Sequence, residues 1–384
     1  MRERSPGKKG IEKAPLVFPV ISQPLQTCKV DISPPSMGQP FVIGSIETPI
    51  GLAPQVSSAL TYQDHWGTVK ARWGVGRMNY TVEPGLYALG NPDNQSPVLV
   101  TANYKMSFDR LREAIPGRNS WLLVLDTDGI NVWCAAGKGT FGTEELVRRI
   151  MMSGLSNIVS HKELILPQLS GPGVAAHQVK KITGFRVHYG PIRSSDLPAY
   201  LDAALKATPV MRLKTFTLHE RISLIPIELV AAFKVSLLIL LAFFLLGGLG
   251  GPDGYWANAM NYGLFAVAAL LTAIMTGAVL TPIMLPVLPG RAFSLKGCIV
   301  GVVAALVLLI LRNPDLAFWP GRLEALAWLL LAPSLSAYLA MNFTGASTYT
   351  SLSGVKKEMR LALPLEIGAG LVGIGLWLAS RFIA

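Results

Sequence analysis

The stretch GINVWCAAGKGT, residues 129–140, holds a single cysteine, Cys134, between a predicted strand and a predicted helix. Four readings of such a segment compete, and spacing tests them. Gly137-Lys138-Gly139-Thr140 looks like the end of a phosphate-cradling loop, but that loop needs Gly six residues before its Lys and Ser or Thr directly after it. This chain has Val132 and Gly139 at those places, so the match fails twice. A cysteine nucleophile needs a histidine base brought close by the fold. His65, His161, His177, His188 and His219 are available, and no local signature chooses among them. A free cysteine is also a small hydrophobe suited to a strand-to-helix turn, with no chemical role.

Metal ligation is the fourth reading. A thiolate is stabilised near a helix N terminus and by a nearby cation, and Lys138 follows four residues on. Ala135, Ala136 and Gly137 would let a large flat ligand approach the backbone. One cysteine cannot close a zinc site, and Cys28 and Cys298 lie far away in sequence, with no CxxC pair for zinc or an iron–sulfur cluster. A single thiolate does suffice as one axial ligand to a metal already held by a macrocycle. The same cysteine usage suits a reduced, cytosol-facing protein.

Other residues carry paired readings. Thr101 and Asn103 end a strand in LVTANY, where they either reach a ligand or cap a turn. Gly171 and Gly173 in SGPGVAAH either let the backbone approach a ligand or start a helix. Trp133 either shields the cysteine from water or packs in the core. Lys138 is either a partner of the thiolate or a solvated helix residue, and Cys28 either relays a metal or is structural.

The elements that must position these residues come from the apolar pattern. Residues 1–59 are rich in Pro, Ser and Gly and predict an irregular extension, apart from a short apolar stretch, PFVIGSIETPIG. From 60 to 208, β-like runs (PVLVTANY, SWLLVLDTDGINVW, SNIVS, ELILPQL, FRVHYG) are interspersed with helical segments (SFDRLREAI, GTEELVRRIMM, GVAAHQVKKI, SSDLPAYLDAALK). That order predicts an open, largely parallel α/β sheet, with ligands at the carboxyl ends of its strands. The VLDTDGINVWC stretch is one such end. Residues 209–226 read as a linker.

Hydrophobic residues make up 51% of the 384, and they concentrate after Pro226. Five apolar segments, 227–249, 256–285, 293–311, 323–343 and 362–380, come close to or exceed the about 20 residues that a helix needs to cross a bilayer. The loop GGPDGYWAN has no Lys or Arg, whereas Arg291 and Lys296 mark the second loop and Lys356, Lys357 and Arg360 the fourth. The positive-inside rule then puts those loops and the N-terminal domain in the cytoplasm, although Arg312 and Arg322 flank the third loop. Glu228, Lys234, Glu324 and Glu366 lie in or near the apolar segments and are functional candidates, or snorkel from helix ends. Ala369 and Gly373, with Gly370 and Gly375, predict close helix packing. The polar loop TGASTYTSLSGVKKEMR is a docking candidate for the soluble domain or a partner. The basic N terminus lacks the apolar run of a signal peptide.

Nine Lys/Arg and six Asp/Glu follow Pro226, so +3 of the formal +11 lies there and +8 before it. The basic residues are scattered among acids without interleaved aromatics. That argues against nucleic acid, and an anionic membrane surface explains the excess.

NVWCAAGK, residues 131–138, resembles the signature of the mercury-methylating corrinoid protein family. SPVLVTANY, LPQLSGPGVAAH and YGPIRSSDLPAYL, spread over residues 96–201, are similar to the corrinoid iron–sulfur protein of the acetyl-CoA pathway. The resemblance implies a Rossmann-like corrinoid-binding α/β domain followed by an all-α membrane domain of five transmembrane helices. It makes Cys134 the lower axial ligand to cobalt and the catalytic residue. Cofactor binding falls to Asn131, Val132, Trp133, Cys134, Ala135, Ala136, Gly137 and Lys138, with Thr101 and Gly173 as added candidates. The D-x-H-x-x-G motif of histidine-ligated corrinoid enzymes is absent, since Asp64 and His65 are adjacent.

The implied activity is transfer of a methyl group from methyl-cobalt(III) of a corrinoid (cobalamin) to Hg(II), giving methylmercury. The implied partners are a methyltetrahydrofolate-type donor with its methyltransferase, and a ferredoxin-like protein with two 4Fe–4S clusters as electron donor. The implied location is the cell (inner) membrane, in contact with lipid, with the corrinoid domain in the cytoplasm. Two alternatives stay open: a membrane corrinoid protein that methylates another acceptor, such as a thiol cofactor, and an Hg(II)-binding transporter or sensor.

Overall fold

The computed structural model describes residues 34–346 and 352–383. Cys28 lies outside them.

Among the described residues, the N-terminal α/β part is built on one seven-stranded sheet. In chain order its strands are β1 (Val42–Thr48), β2 (Gly51–Val56), β3 (Gly85–Leu89), β4 (Val98–Ala102), β5 (Ser120–Leu125), β6 (Glu163–Leu166) and β7 (Arg186–Tyr189), and in space they run β1-β2-β3-β5-β4-β6-β7. The helices between them are α1 (Tyr62–Arg72), α2 (Lys105–Glu113), α3 (Val132–Lys138), α4 (Thr143–Met152), α5 (Leu155–Ile158), α6 (Ala176–Thr183) and α7 (Leu197–Asp202).

Every residue of β4 and β5 is buried, because both faces of the sheet are covered. Alternate side chains serve the two layers. Val98, Val100, Ala102, Leu123 and Leu125 pack on Ala135 and Ala136 of α3 and Leu146 and Ile150 of α4. Leu99, Leu122 and Val124 pack on Phe108 and Leu111 of α2 and Tyr200 of α7.

Strands β5, β4, β6 and β7 are parallel, as the strand–helix order predicts. The other half of the sheet corrects the largely parallel expectation: β3 is antiparallel to β5, β2 parallel to β3, and β1 antiparallel to β2. Parallel pairing of neighbours needs a crossover between them, and β1 and β2 are joined only by a tight turn at Pro49 and Ile50. The expected irregular extension therefore holds a hairpin over the PFVIGSIETPIG stretch. Residues along β1 alternate between half-buried and exposed, the pattern of an edge strand with one face in water. SNIVS gives the short helix α5, started by Gly154 in the left-handed region (φ 53°), instead of a strand.

From β4 the chain crosses through α2 to β5 on one side, and from β5 through α3, α4 and α5 to β6 on the other side of β4. The crossovers thus lie on opposite faces, and the carboxyl ends of β4, β5 and β6 meet at a topological switch point.

Among the described residues, five helices are long and apolar enough to cross a membrane: Leu218–Leu246, Tyr255–Met284, Phe293–Arg312, Trp319–Thr344 and Gly354–Phe382. The third and fourth approach closely because Gly297 faces Ala337 and Ala340, and Gly301 faces Pro333. Ser336 Oγ donates to the Gly297 carbonyl at 2.8 Å. Gly373 packs on Leu331 as its spacing predicts, whereas Gly370 and Gly375 face open space. Phe243, Trp328 and Trp377 from three helices form an aromatic cluster. Glu324 is buried between Arg381 at 3.4 Å and Arg312 at 3.6 Å.

Candidate cofactor site

The loop after β5 is held by one buried side chain at the end of β4. Asn103 Oδ1 accepts from the Thr127 hydroxyl (2.8 Å) and from the backbone N–H groups of Thr127 (3.0 Å) and Gly129 (3.1 Å). Its Nδ2 donates to Asp126 Oδ1 at 3.1 Å. Glu145 of α4 accepts from the Asp126 N–H at 2.8 Å. Of the two readings of Asn103, the structure shows the turn-forming one. Gly129 turns the chain at φ 68°, where its α-carbon lies against the Met78 carbonyl and Thr81 and leaves no room for a Cβ.

Asn131 then starts α3. Its backbone is extended and its Oδ1 accepts from the Cys134 N–H at 2.9 Å, satisfying an N–H that has no intrahelical partner. Gly139, left-handed at φ 89°, ends the helix. Cys134 is consequently the third residue of a capped first turn, with an exposed thiol. Trp133, which the INVW pattern would place on a strand, is helical and 36% exposed, so it is not a core residue.

A cleft of about 380 Å³ opens beside α3 at the switch point, over the sheet face that carries α2 and α7. Thr101, Asn131, Val132 and Trp133 line it, together with Leu99, Ile165 and residues at the start of α7. Sequence reasoning missed several polar members, among them Arg72 at the end of α1 and Tyr104 after β4. Burial lowers the Arg72 guanidinium below its ordinary value, with Arg110 adding repulsion, and burial raises the Tyr104 phenol. Both come from segments outside the NVWCAAGK stretch, and only folding brings them to it.

The remaining expected site residues divide. Ala135 and Ala136 are buried in the core and cannot touch a ligand in the cleft. Gly173 faces the Phe141 carbonyl and the Ala136 α-carbon, so its missing side chain admits protein backbone, not a macrocycle. Gly137 and Lys138 are exposed, and a Cβ on Gly137 would meet open space. Lys138, four residues after Cys134, shares its helical face.

Two of the histidines have partners elsewhere in the domain. The His161 ring contacts the Ser96 carbonyl at 3.0 Å, at the amino end of β4, and His188 pairs with Glu163 at 3.4 Å between β7 and β6.

Behind α1, a buried ion network fixes this layer. Lys105 Nζ binds Asp64 and Asp109 at 2.6 Å each, and Arg112 binds Asp64 and Asp109 at 2.8 Å each. Burial alone would raise the Asp64 carboxyl, but the Lys105 ammonium, the Thr61 N–H and Arg112 outweigh it and hold it well below the usual carboxylate range. Tyr80, against the same network, is pushed up to about 12 mainly by burial.

Residues 75–201 match the family model of the CO dehydrogenase/acetyl-CoA synthase delta subunit. The chain is similar to the acetyl-CoA decarbonylase/synthase complex subunit gamma of Methanopyrus kandleri, 36% identical over 124 residues, which is 32% of this chain and 26% of that protein. The corresponding subunits of Methanothermobacter thermautotrophicus (33% over 128 residues, 33% and 28% of the two chains) and Methanocaldococcus jannaschii (34% over 127, 33% and 26%) are similar too. The chain thus spans about a quarter of the length of these curated relatives. The family match falls on the α/β domain and ends before the five apolar helices.

Proposed function

We propose that the α/β domain binds a corrinoid whose cobalt Cys134 would hold through its thiolate, and that the protein is a membrane-bound methyltransferase whose methyl acceptor is Hg(II). The observation that carries the reading is the exposed Cys134 thiol on the capped first turn of α3, next in sequence to the cleft-lining residues Asn131, Val132 and Trp133 but not itself part of the lining. The family match agrees with the likeness to the corrinoid iron–sulfur protein of the acetyl-CoA pathway. NVWCAAGK supports the finer assignment, because it resembles the mercury-methylating family.

The donor set fits such a group. One unencumbered thiol suits a metal whose other ligands come from a macrocycle, and the cleft joins apolar walls (Leu99, Ile165) to a few polar groups (Thr101, Asn131, Arg72), as small-molecule sites do. The corrinoid, when bound, supplies a cobalt centre that carries the methyl group. Cys134 would hold the metal and donate electron density to it, which suits an acceptor that needs a methyl group with its electron pair. Asn131 would hold that thiol at a fixed height by capping α3, and Trp133 would exclude water beside it. Gly137 would leave the backbone open to a flat ligand, and Lys138 would place a cation on the face of Cys134.

Under this reading the protein sits in the cell membrane with the α/β domain on the cytoplasmic side, which five helices long and apolar enough to cross a bilayer and the basic loops between them support. A methyltetrahydrofolate-type donor with its methyltransferase and a ferredoxin-like partner with two 4Fe–4S clusters complete the cycle. The visible spectrum of the purified protein reconstituted with cobalamin tests the ligand: Cys134→Ala must change it, and an unchanged spectrum would remove Cys134 from the metal. Methylmercury measured with the reduced partner separates mercury from another acceptor such as a thiol cofactor. Hg(II) binding without any bound corrinoid would favour the transporter or sensor reading.

A further inference from the structure

On α1, Tyr62, Trp66, Val69 and Trp73 follow one another at spacings of four, three and four, which stacks them on one helical face. That face points away from the domain: Tyr62 is 81% exposed, Trp66 50% and Trp73 47%, while Asp64 and Ala71 on the opposite face are buried. The stripe continues past the helix into Val75 and Met78, both exposed. A contiguous apolar patch of this kind on a folded domain marks an interaction surface.

Its position says which. Arg72 donates to the Ser223 carbonyl at 3.2 Å, and Gly74 packs on Ile227 and Val230, in the first apolar turns of the helix Leu218–Leu246. Charged residues run up to and just past that level, at Glu220, Arg221, Glu228 and Lys234, and beyond them on the same helix Val235, Leu237 and Leu238 are exposed. The loop after α1 therefore lies where headgroups give way to acyl chains, if that helix crosses the membrane. The flanking charges agree: residues 62–78 carry Lys70, Arg72 and Arg77, and their one acid, Asp64, is turned inward against Lys105. Trp and Tyr rings with basic neighbours are the side chains that settle at an anionic bilayer surface.

We infer that the face of α1 bearing Trp66, Val69 and Trp73, with Val75 and Met78, inserts into the cytoplasmic leaflet as a second membrane contact besides the five helices. This rests on the reading that those helices span the bilayer. Because Arg72 also lines the cleft, the same contact holds the cofactor site at the lipid surface.

The test uses the full chain in nanodiscs containing anionic phospholipid, with p-benzoyl-phenylalanine in place of Trp66 or Trp73, and in place of Leu237 and of exposed Glu144 as references. After irradiation, the peptides carrying positions 66, 73 and 237 should gain the mass of one phospholipid, and that carrying 144 should not. Lipid adducts at 237 with none at 66 and 73 would overturn the inference and leave the spanning helices standing. Loss of adducts at 237 as well would overturn both. Adducts of 66 and 73 with residues 1–33, or with a second copy of the chain, would assign the stripe to that occupant instead.

Discussion

Asn131 Oδ1 accepts the N–H of Cys134, so the residue that starts α3 also fixes the height of the thiol above the sheet. A helix of seven residues has little stability of its own, and its cap is a large share of what holds its first turn. Asn131→Ala should cost about 1 kcal/mol locally, seen as about fivefold faster amide exchange over residues 132–138. Asn131→Asp keeps an acceptor in place and should restore protection. Equal exchange in wild type and Asn131→Ala would mean that α3 is held by tertiary packing alone.

Two glycines of this region should respond in opposite directions. Gly173 has the Ala136 α-carbon 3.1 Å from where a Cβ would sit, with the Phe141 carbonyl closer still, so Gly173→Ala must push α3 off the turn beneath it. The expected loss is about 1–3 kcal/mol of domain stability, the usual cost of overpacking. Gly137 is helical with open space around it, and Gly137→Ala should gain about 0.5–1 kcal/mol by removing backbone freedom. If a flat ligand approaches that backbone, the same variant should bind cobalamin more weakly. Thermal unfolding and a cobalamin titration read the two effects separately, and unchanged affinity would take Gly137 out of the site.

What the sequence makes legible here is local. Val98–Ala102 and Ser120–Leu125 read as strands because continuous apolar runs of that length suit a sheet covered on both faces. Cys134 stands out because its neighbours are small and its motif is long. INVW misleads: it reads as a continuation of the apolar strand before it, yet Asn131 captures the Cys134 N–H and starts a helix. Arg72 reaches the cleft, and Gly173 meets Phe141, only through packing between segments far apart in the chain, which no local pattern encodes. The antiparallel start of the sheet is likewise a matter of register between distant strands.

The Asp64 network gives the α/β domain an acid limb. The folded carboxyl lies below the ordinary range, so its ionised, paired form contributes stability that is fully present above the unfolded carboxylate pKa of about 3.9. That contribution fades as pH falls from there through the lower folded value. Asp64→Asn should be less stable than wild type near neutrality, because Lys105 and Arg112 then share Asp109 alone. It should also lose less of its remaining stability on acidification. Near-UV circular dichroism during denaturant unfolding at neutral and acid pH measures both, and parallel acid limbs would show that Asp64 is not the group responsible.

Glu324 poses the corresponding question within the apolar helices. It lies between Arg381 and Arg312, from the fifth and third helices, while the Arg381 guanidinium also stacks on Tyr262 at 3.6 Å. Glu324→Gln would leave two guanidiniums facing each other without a counter-charge, and removing one partner from a buried ion cluster costs about 3–5 kcal/mol. Removing Arg381 as well relieves part of that repulsion, so the double variant Glu324→Gln, Arg381→Gln should be more stable than the two single losses added together predict. Thermal unfolding in nanodiscs across the double-mutant cycle should show a coupling of about 0.5–3 kcal/mol. Strict additivity would mean that the pair is independent and that the helix ends are held by the Gly250 and Gly251 loop packed on the Arg381 backbone.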